Sequence, residues 1–241
     1  YLDARVVARG NQIENNDTAF YCKACIVSAN NNQFLQNSYG FVILSSPAPN
    51  NFPSSVYLNL NNFDCIDQAI QATGTEDLFV IENNFQQISK VLPIIQYTTD
   101  NPNFIPGTIN TKINQNHFIG PIGKGIYYND FAMVTPSSSG TIFANRLDSV
   151  VAVAATDTAI GLEILWQKPA FTVGGGDSAN VINVHAPSNT GWAIGTWVSN
   201  TISNTQIDSN YTSCYGYATG IVVSNSPDYG GEENFFTLYD Q

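Results

Sequence analysis

The stretch Val56-Tyr57-Leu58-Asn59-Leu60-Asn61-Asn62-Phe63-Asp64-Cys65-Ile66-Asp67-Gln68-Ala69-Ile70-Gln71-Ala72-Thr73-Gly74 decides how the chain is read. Its opening, Val56 to Leu60, alternates apolar with polar, the period of a half-buried strand. The period then changes. Asp64 stands where an N-cap would, and Asp67 falls in the first turn. Ile66, Ala69 and Ile70 share one face at helical spacing, and Gly74 stops the run. The reading is a strand followed by one short helix near 65–73.

Outward from this stretch the pattern is strand after strand, with turn chemistry between. Upstream, Ala4 to Arg9 closes at Gly10-Asn11, and Ala19 to Ser28 closes at Asn30-Asn31-Asn32. Downstream come apolar runs such as Phe131 to Val134, Ser149 to Ala155, Trp192 to Val198 and Tyr215 to Val223. Their number and spacing predict an all-β fold: a large antiparallel β-sandwich or jelly-roll-like domain, with the single helix as its one exception. One domain over 1–241 is expected, with a candidate subdivision near 136–140. No internal repeat is discerned.

Composition narrows the function. The chain has 241 residues, 43% hydrophobic, enough to bury a core. With 8 Lys+Arg against 19 Asp+Glu, its net charge is −11. No nucleic-acid partner is expected, because phosphate binding needs clustered cations. Only 11% of residues are charged, whereas Asn occurs 29 times, so the surface reads as neutral and polar. No apolar run is long enough for membrane insertion as a helix.

Four cysteines, Cys22, Cys25, Cys65 and Cys214, suggest two disulfides in an oxidising compartment, with three pairings open. On one continuous strand Cys22 and Cys25 would point to opposite faces, so the spacing does not read as a metal site. Asn16 and Asn210 open glycosylation triplets. The chain starts at Tyr1, which reads as a matured product or a fragment.

The catalytic inventory is thin. There are two histidines, His117 and His185, and Gly176-Asp177-Ser178 reads as a turn. Glu82 and Glu163 are the carboxylates a glycosidase would have to pair. Asp228, Glu232 and Glu233 are the nearest approach to a cation loop, better read as solvated. No catalytic residue, metal site or cofactor is expected. The aromatics are more suggestive. Trp192, Trp197, Tyr211, Tyr215 and Tyr217 lie among Asn, Thr, Gly and Ser, the mixture that sugar sites and interfaces use.

In composition the chain is similar to subunits of extracellular filaments, outer domains of viral capsids and secreted carbohydrate-binding modules. That resemblance carries no residue across. The reading is a non-enzymatic subunit of a surface assembly, outside the cell or on a virion, whose partners are copies of itself. Leu2, Ala4, Val6 and Ala8 form the candidate assembly strand, to which Arg5 and Arg9 are an objection. The alternative is a secreted module for a host glycan or receptor, and the third reading is a glycoside hydrolase.

Overall fold

The computed structural model describes residues 4–45, 54–98, 110–129, 139–154, 156–166, 170–175, 178–186, 191–201, 205–226, 229–230 and 234–239. The chain winds through successive coils. The first is β1 (Ala4–Arg9), β2 (Gln12–Glu14) and β3 (Thr18–Lys23). The second is β4 (Cys25–Asn30) and β5 (Gln33–Leu44), and the third is β6 (Ser55–Asn59) and β7 (Asn62–Thr73). The fourth is β8 (Asp77–Ile81), β9 (Asn84–Gln87) and β10 (Pro93–Thr98); the fifth is β11 (Asn110–Asn114), β12 (His117–Phe118) and β13 (Lys124–Asn129). The sixth is β14 (Ser139–Phe143), β15 (Arg146–Val151) and β16 (Thr158–Leu165); the seventh is β17 (Ala170–Gly174), β18 (Val181–His185) and β19 (Trp192–Ser199). The eighth is β20 (Thr205–Asp208), β21 (Tyr211–Tyr215) and β22 (Tyr217–Ser224), and β23 (Tyr229–Gly230) and β24 (Phe235–Tyr239) begin a ninth.

Each strand pairs in parallel with the strand on the same face of the next coil. Face one is a nine-stranded sheet from β1 to β23. Faces two and three form one 15-stranded sheet, folded through the long strands β5 and β7. Residues 62–65 of β7 pair with β9 on face two, whereas residues 70–73 pair with β10 on face three. The faces wrap a common core as a nearly closed tube, a parallel β-solenoid.

This overturns the antiparallel sandwich. Alternation along a strand is the same whichever way its partner runs, so it shows strands but not their direction. The short helix near 65–73 is also wrong, because that segment lies in β7. β7 bends from one face to the next, and its pairing with β5 shifts register at the bend. Phe63 and Cys65 point inward before the bend, and Ile70 and Ala72 after it. The change of phase between the two sets imitates helical spacing. The candidate subdivision near 136–140 falls largely on residues outside those described, but β14 pairs with β11 before it and β17 after it.

A repeat is present after all. At the corner between faces one and two stand Asn11, Asn32, Asn61, Asn83, Asn116, Asn145, Asn180, Asn210 and Asn234, separated by 21 to 35 residues. The residue before the Asn is left-handed in Gly10, Asn31, Leu60, Glu82, Gln115, Ala144 and Ser209, which turns the chain through the corner. Two residues beyond each Asn, the next inward position forms a second row: Ile13, Phe34, Phe63, Phe85, Phe118, Leu147, Ile182, Thr212 and Phe236. Phe34, Phe63, Phe85 and Phe118 stack at 4.8 to 5.0 Å, the spacing of the strands that carry them. Face three answers with small residues. A Cβ on Gly161 would lie 2.6 Å from the Gly195 carbonyl and from Ile182.

Candidate functional site

A solenoid, unlike a closed barrel, has two ends. The asparagine corner gives those ends different chemistry. In the interior, each Asn donates both its backbone N–H and one Nδ2 hydrogen to Oδ1 of the Asn one coil later. The other Nδ2 hydrogen goes to a carbonyl of the coil before, as Asn116 gives to Val80. The ladder is therefore directional. At its start, Oδ1 of Asn11 accepts no hydrogen bond among the described residues, while Asn11 itself donates to Asn32 and Arg9. At its end, Asn234 accepts from Asn210 and donates to Ile207, and its backbone N–H finds no acceptor among the described residues. One end offers acceptors and the other donors.

Burial follows the same division. Along the inward row Phe34, Phe85, Phe118, Leu147 and Ile182 are fully buried, but Phe236 at the end is 43% exposed. Leu238 follows buried Cys214 and is 52% exposed, and Val223 follows buried Val198 and is 38% exposed. These inward positions have no described strand packed over them. At the opposite end Val6, in register with buried Val27, is 36% exposed, and Ile13 and Phe20 are half-buried. Of the candidate assembly strand, Ala4, Val6 and Ala8 share the inward row of β1, and Leu2 lies outside the described residues. β1 already belongs to its own sheet, pairing with β4, and its other edge is open among the described strands. Arg5 and Arg9 alternate to the outside, so they do not oppose the inward row.

The five candidate binding aromatics all lie on the seventh and eighth coils. Trp192 and Tyr217, each 53% exposed, face each other in register with ring centres 6.2 Å apart. Tyr215 stacks on His185 at 4.3 Å, and Gly216 turns the chain between Tyr215 and Tyr217. Burial pushes the His185 pKa below the ordinary imidazole value. Tyr211 is exposed at the start of face two. Trp197 lies in the outward row of face three beside Glu163, its buried Nε1 without a hydrogen-bond partner.

The ionisable groups are dispersed. Glu163 is ion-paired with Lys124 on face three, while Glu82 stands exposed at the asparagine corner. The two carboxylates that a glycosidase would pair occupy different sides of the tube. On face two His117 and Arg146 both bond Asp148, at 2.6 and 2.5 Å. Desolvation works against that carboxylate, but the hydrogen bonds and charges of Arg146 and His117 outweigh it and lower its pKa. Nearby, a shallow cavity of about 230 Å³ is lined by Asn62, Asp64, Asn84 and Gln86. Asp228, Glu232, Glu233 and the Gly176-Asp177 turn lie outside the described residues.

The cysteines divide unexpectedly. Cys22 and Cys25 form a disulfide, with Cα atoms 6.2 Å apart. Ala24 takes φ 53° between β3 and β4, so the two no longer lie on one continuous strand. Cys65 and Cys214 are free thiols, and burial pushes each pKa up to about 12. Asn210 is a correction too. It is 2% exposed, inside the ladder, and its amide donates to Val173, Asp208 and Asn234. The folded chain has no room for a glycan there. Asn16 is exposed, with its amide bonded to Glu14 and Asn37.

The ladder residues are what sequence reasoning missed. Their signal is present as Asn-x-apolar, from Asn32-Gln33-Phe34 to Asn234-Phe235-Phe236, but at irregular intervals. The chain matches none of the family models, curated proteins or solved structures with which it was compared.

Proposed function

We propose that this chain is a non-enzymatic building block of an assembly outside the cell, and that its partners are copies of itself. The observation that carries this reading is the exposure of core positions Phe236, Leu238 and Val223 at one end of the solenoid. Apolar rows that stop uncovered are stabilised by another coil laid over them, and the open strand edges there supply backbone hydrogen bonds. The low charge favours the same outcome, since burying neutral amides costs far less than burying ions. The Cys22–Cys25 disulfide fits an oxidising setting.

Light scattering across a concentration series, with negative-stain electron microscopy, tests it. Rods are expected, with a regular axial repeat built on the strand spacing of about 4.8 Å. A monomer at every concentration would refute the reading.

A second reading rests on the exposed Trp192–Tyr217 pair, two aromatic faces among small polar residues, which suits a host glycan. Trp192→Ala with Tyr217→Ala should then abolish retention on a glycan array while the fold persists. Unchanged retention, or none by the wild type, removes this reading.

A further inference from the structure

We infer that the shallow cavity on face two binds a neutral pyranose sugar, whether or not the chain assembles. The cavity spans coils two to five. Leu35, Asp64 and Gln86 stand in register along it, and Ile119, which follows Phe118 at the end of β12, continues the row. Asn62 and Asn84 form the row beside it. At the strand spacing the four-membered row covers about 14 Å, with polar residues in the middle and an apolar residue at each end. At the Leu35 end, Gln36 takes φ 55° and the pairing of β5 with β7 shifts register. The chain bulges there, and Gln36 Nε2 donates to Oδ2 of half-buried Asp64 at 2.9 Å.

The fold leaves these polar groups with unused capacity. Asp64 keeps Oδ1 as an acceptor beyond its bond to Gln36. Asn84 donates to Oδ1 of Asn62 at 2.8 Å, which leaves Oδ1 of Asn84 and Nδ2 of Asn62 without a partner among the described residues. The exposed Gln86 amide bonds nothing among the described residues. Acceptors and donors therefore alternate one strand spacing apart. Neighbouring hydroxyls of a sugar ring, each donor and acceptor at once, match that alternation, and Leu35 and Ile119 meet its C–H groups. Charge excludes other ligands. Asp64 is the one charged residue among the described residues lining the cavity, so an acidic ligand would meet a carboxylate in a chain of net charge −11. One carboxylate is also too little for a metal ion, and no group of three His, Cys, Asp or Glu forms among the described residues. The volume of about 230 Å³ lies below the roughly 300–1,000 Å³ of sites for drug-sized ligands, so one ring fills it. No exposed aromatic plane is among the described lining residues, so binding is weak, on the order of millimolar. His117 continues the Asn62–Asn84 row on the next coil, so a sugar inside a chain laid along the axis would pass over it.

Saturation-transfer NMR on the full chain tests this, since that readout works on monomers and rods alike. The probes are glucose, galactose, mannose and N-acetylglucosamine, then cellohexaose and chitohexaose, with glucuronate as the acidic control. A neutral sugar should bind, and glucuronate more weakly than glucose. Gln86→Ala should weaken binding about fivefold and Asp64→Ala about tenfold or more, the order of one neutral and one charged hydrogen bond. Gln86 bonds nothing described, so Gln86→Ala carries the test even where Asp64→Ala, which releases Gln36, fails to fold. Trp192→Ala with Tyr217→Ala should leave this binding unchanged. A hexasaccharide that binds more tightly than its monomer identifies a polysaccharide as the source of the ring, and equal affinity identifies the free sugar. Binding by no neutral probe overturns the inference. So does binding that Gln86→Ala and Asp64→Ala leave intact, or glucuronate bound more tightly than glucose. Loss of all binding in the Trp192 and Tyr217 double variant also overturns it and moves the sugar to face three. The assembly reading survives each of these outcomes, because it falls only with a wild type that is monomeric at every concentration.

Discussion

At the scale of single residues, the asparagine is the unit of this structure. Its side chain is short enough to stay at the corner, and it carries a donor and an acceptor together. Asn116 accepts from the Asn83 backbone and side chain and donates to Val80 and Asn145. Asn116→Ala should cost about 3 kcal/mol, because buried partners on both neighbouring coils lose their bonds. Chemical denaturation would measure it, and a loss below about 1 kcal/mol would mean that water replaces the amide. His185 supplies a pH dependence. Burial lowers its folded pKa below 6.5, so the unfolded chain takes up the proton first. The folded state is favoured fully above that value, and the advantage falls as the pH drops through it. His185→Gln should flatten the stability slope between about pH 7 and pH 5, as followed by thermal denaturation. An unchanged slope would place the titrating group elsewhere.

At the scale of elements, no strand here is stable by itself, because each buries its inward residues only against the strands of adjacent coils. β9 shows the dependence. It is four residues long, yet Phe85 is fully buried and stacked between Phe63 and Phe118 at 4.9 and 5.0 Å. Phe85→Ala should destabilise by about 3–5 kcal/mol, at the upper end for a row that cannot collapse across the strand spacing. Equilibrium unfolding in urea would read the loss. The strands β5 and β7 explain why element types were only partly legible. Val56 to Leu60 announced a strand, and Val56 to Asn59 lie in β6, with Leu60 the left-handed residue that ends it. The next segment is a strand bent across two faces, and its inward positions change phase at the bend, so local spacing alone pointed to a helix.

At the scale of the whole molecule, coils touch only their neighbours, so stability is graded along the axis. Hydrogen exchange should be slowest in β8 to β16 and fastest in β1 to β3 and β22 to β24. In assembled material the slow region should extend to both ends. Uniform exchange along the chain would contradict a solenoid that unfolds from its ends. The uncovered rows at Phe236 and Val6 are a property of this scale alone, since each residue resembles its buried row-mates in type.

The sequence by itself determined that this is a β protein with little charge, a large core and turns rich in Asn and Gly. It did so because side-chain alternation and turn chemistry are local. It also contained the Asn-x-apolar unit, but the unequal intervals of 21 to 35 residues between successive corner asparagines concealed the period. Only the tertiary structure decided that the strands run parallel, that the asparagines meet in one ladder, and that Asn210 is buried. Each of these depends on which coil lies above which. That is a contact between residues distant along the chain, and no local period encodes it.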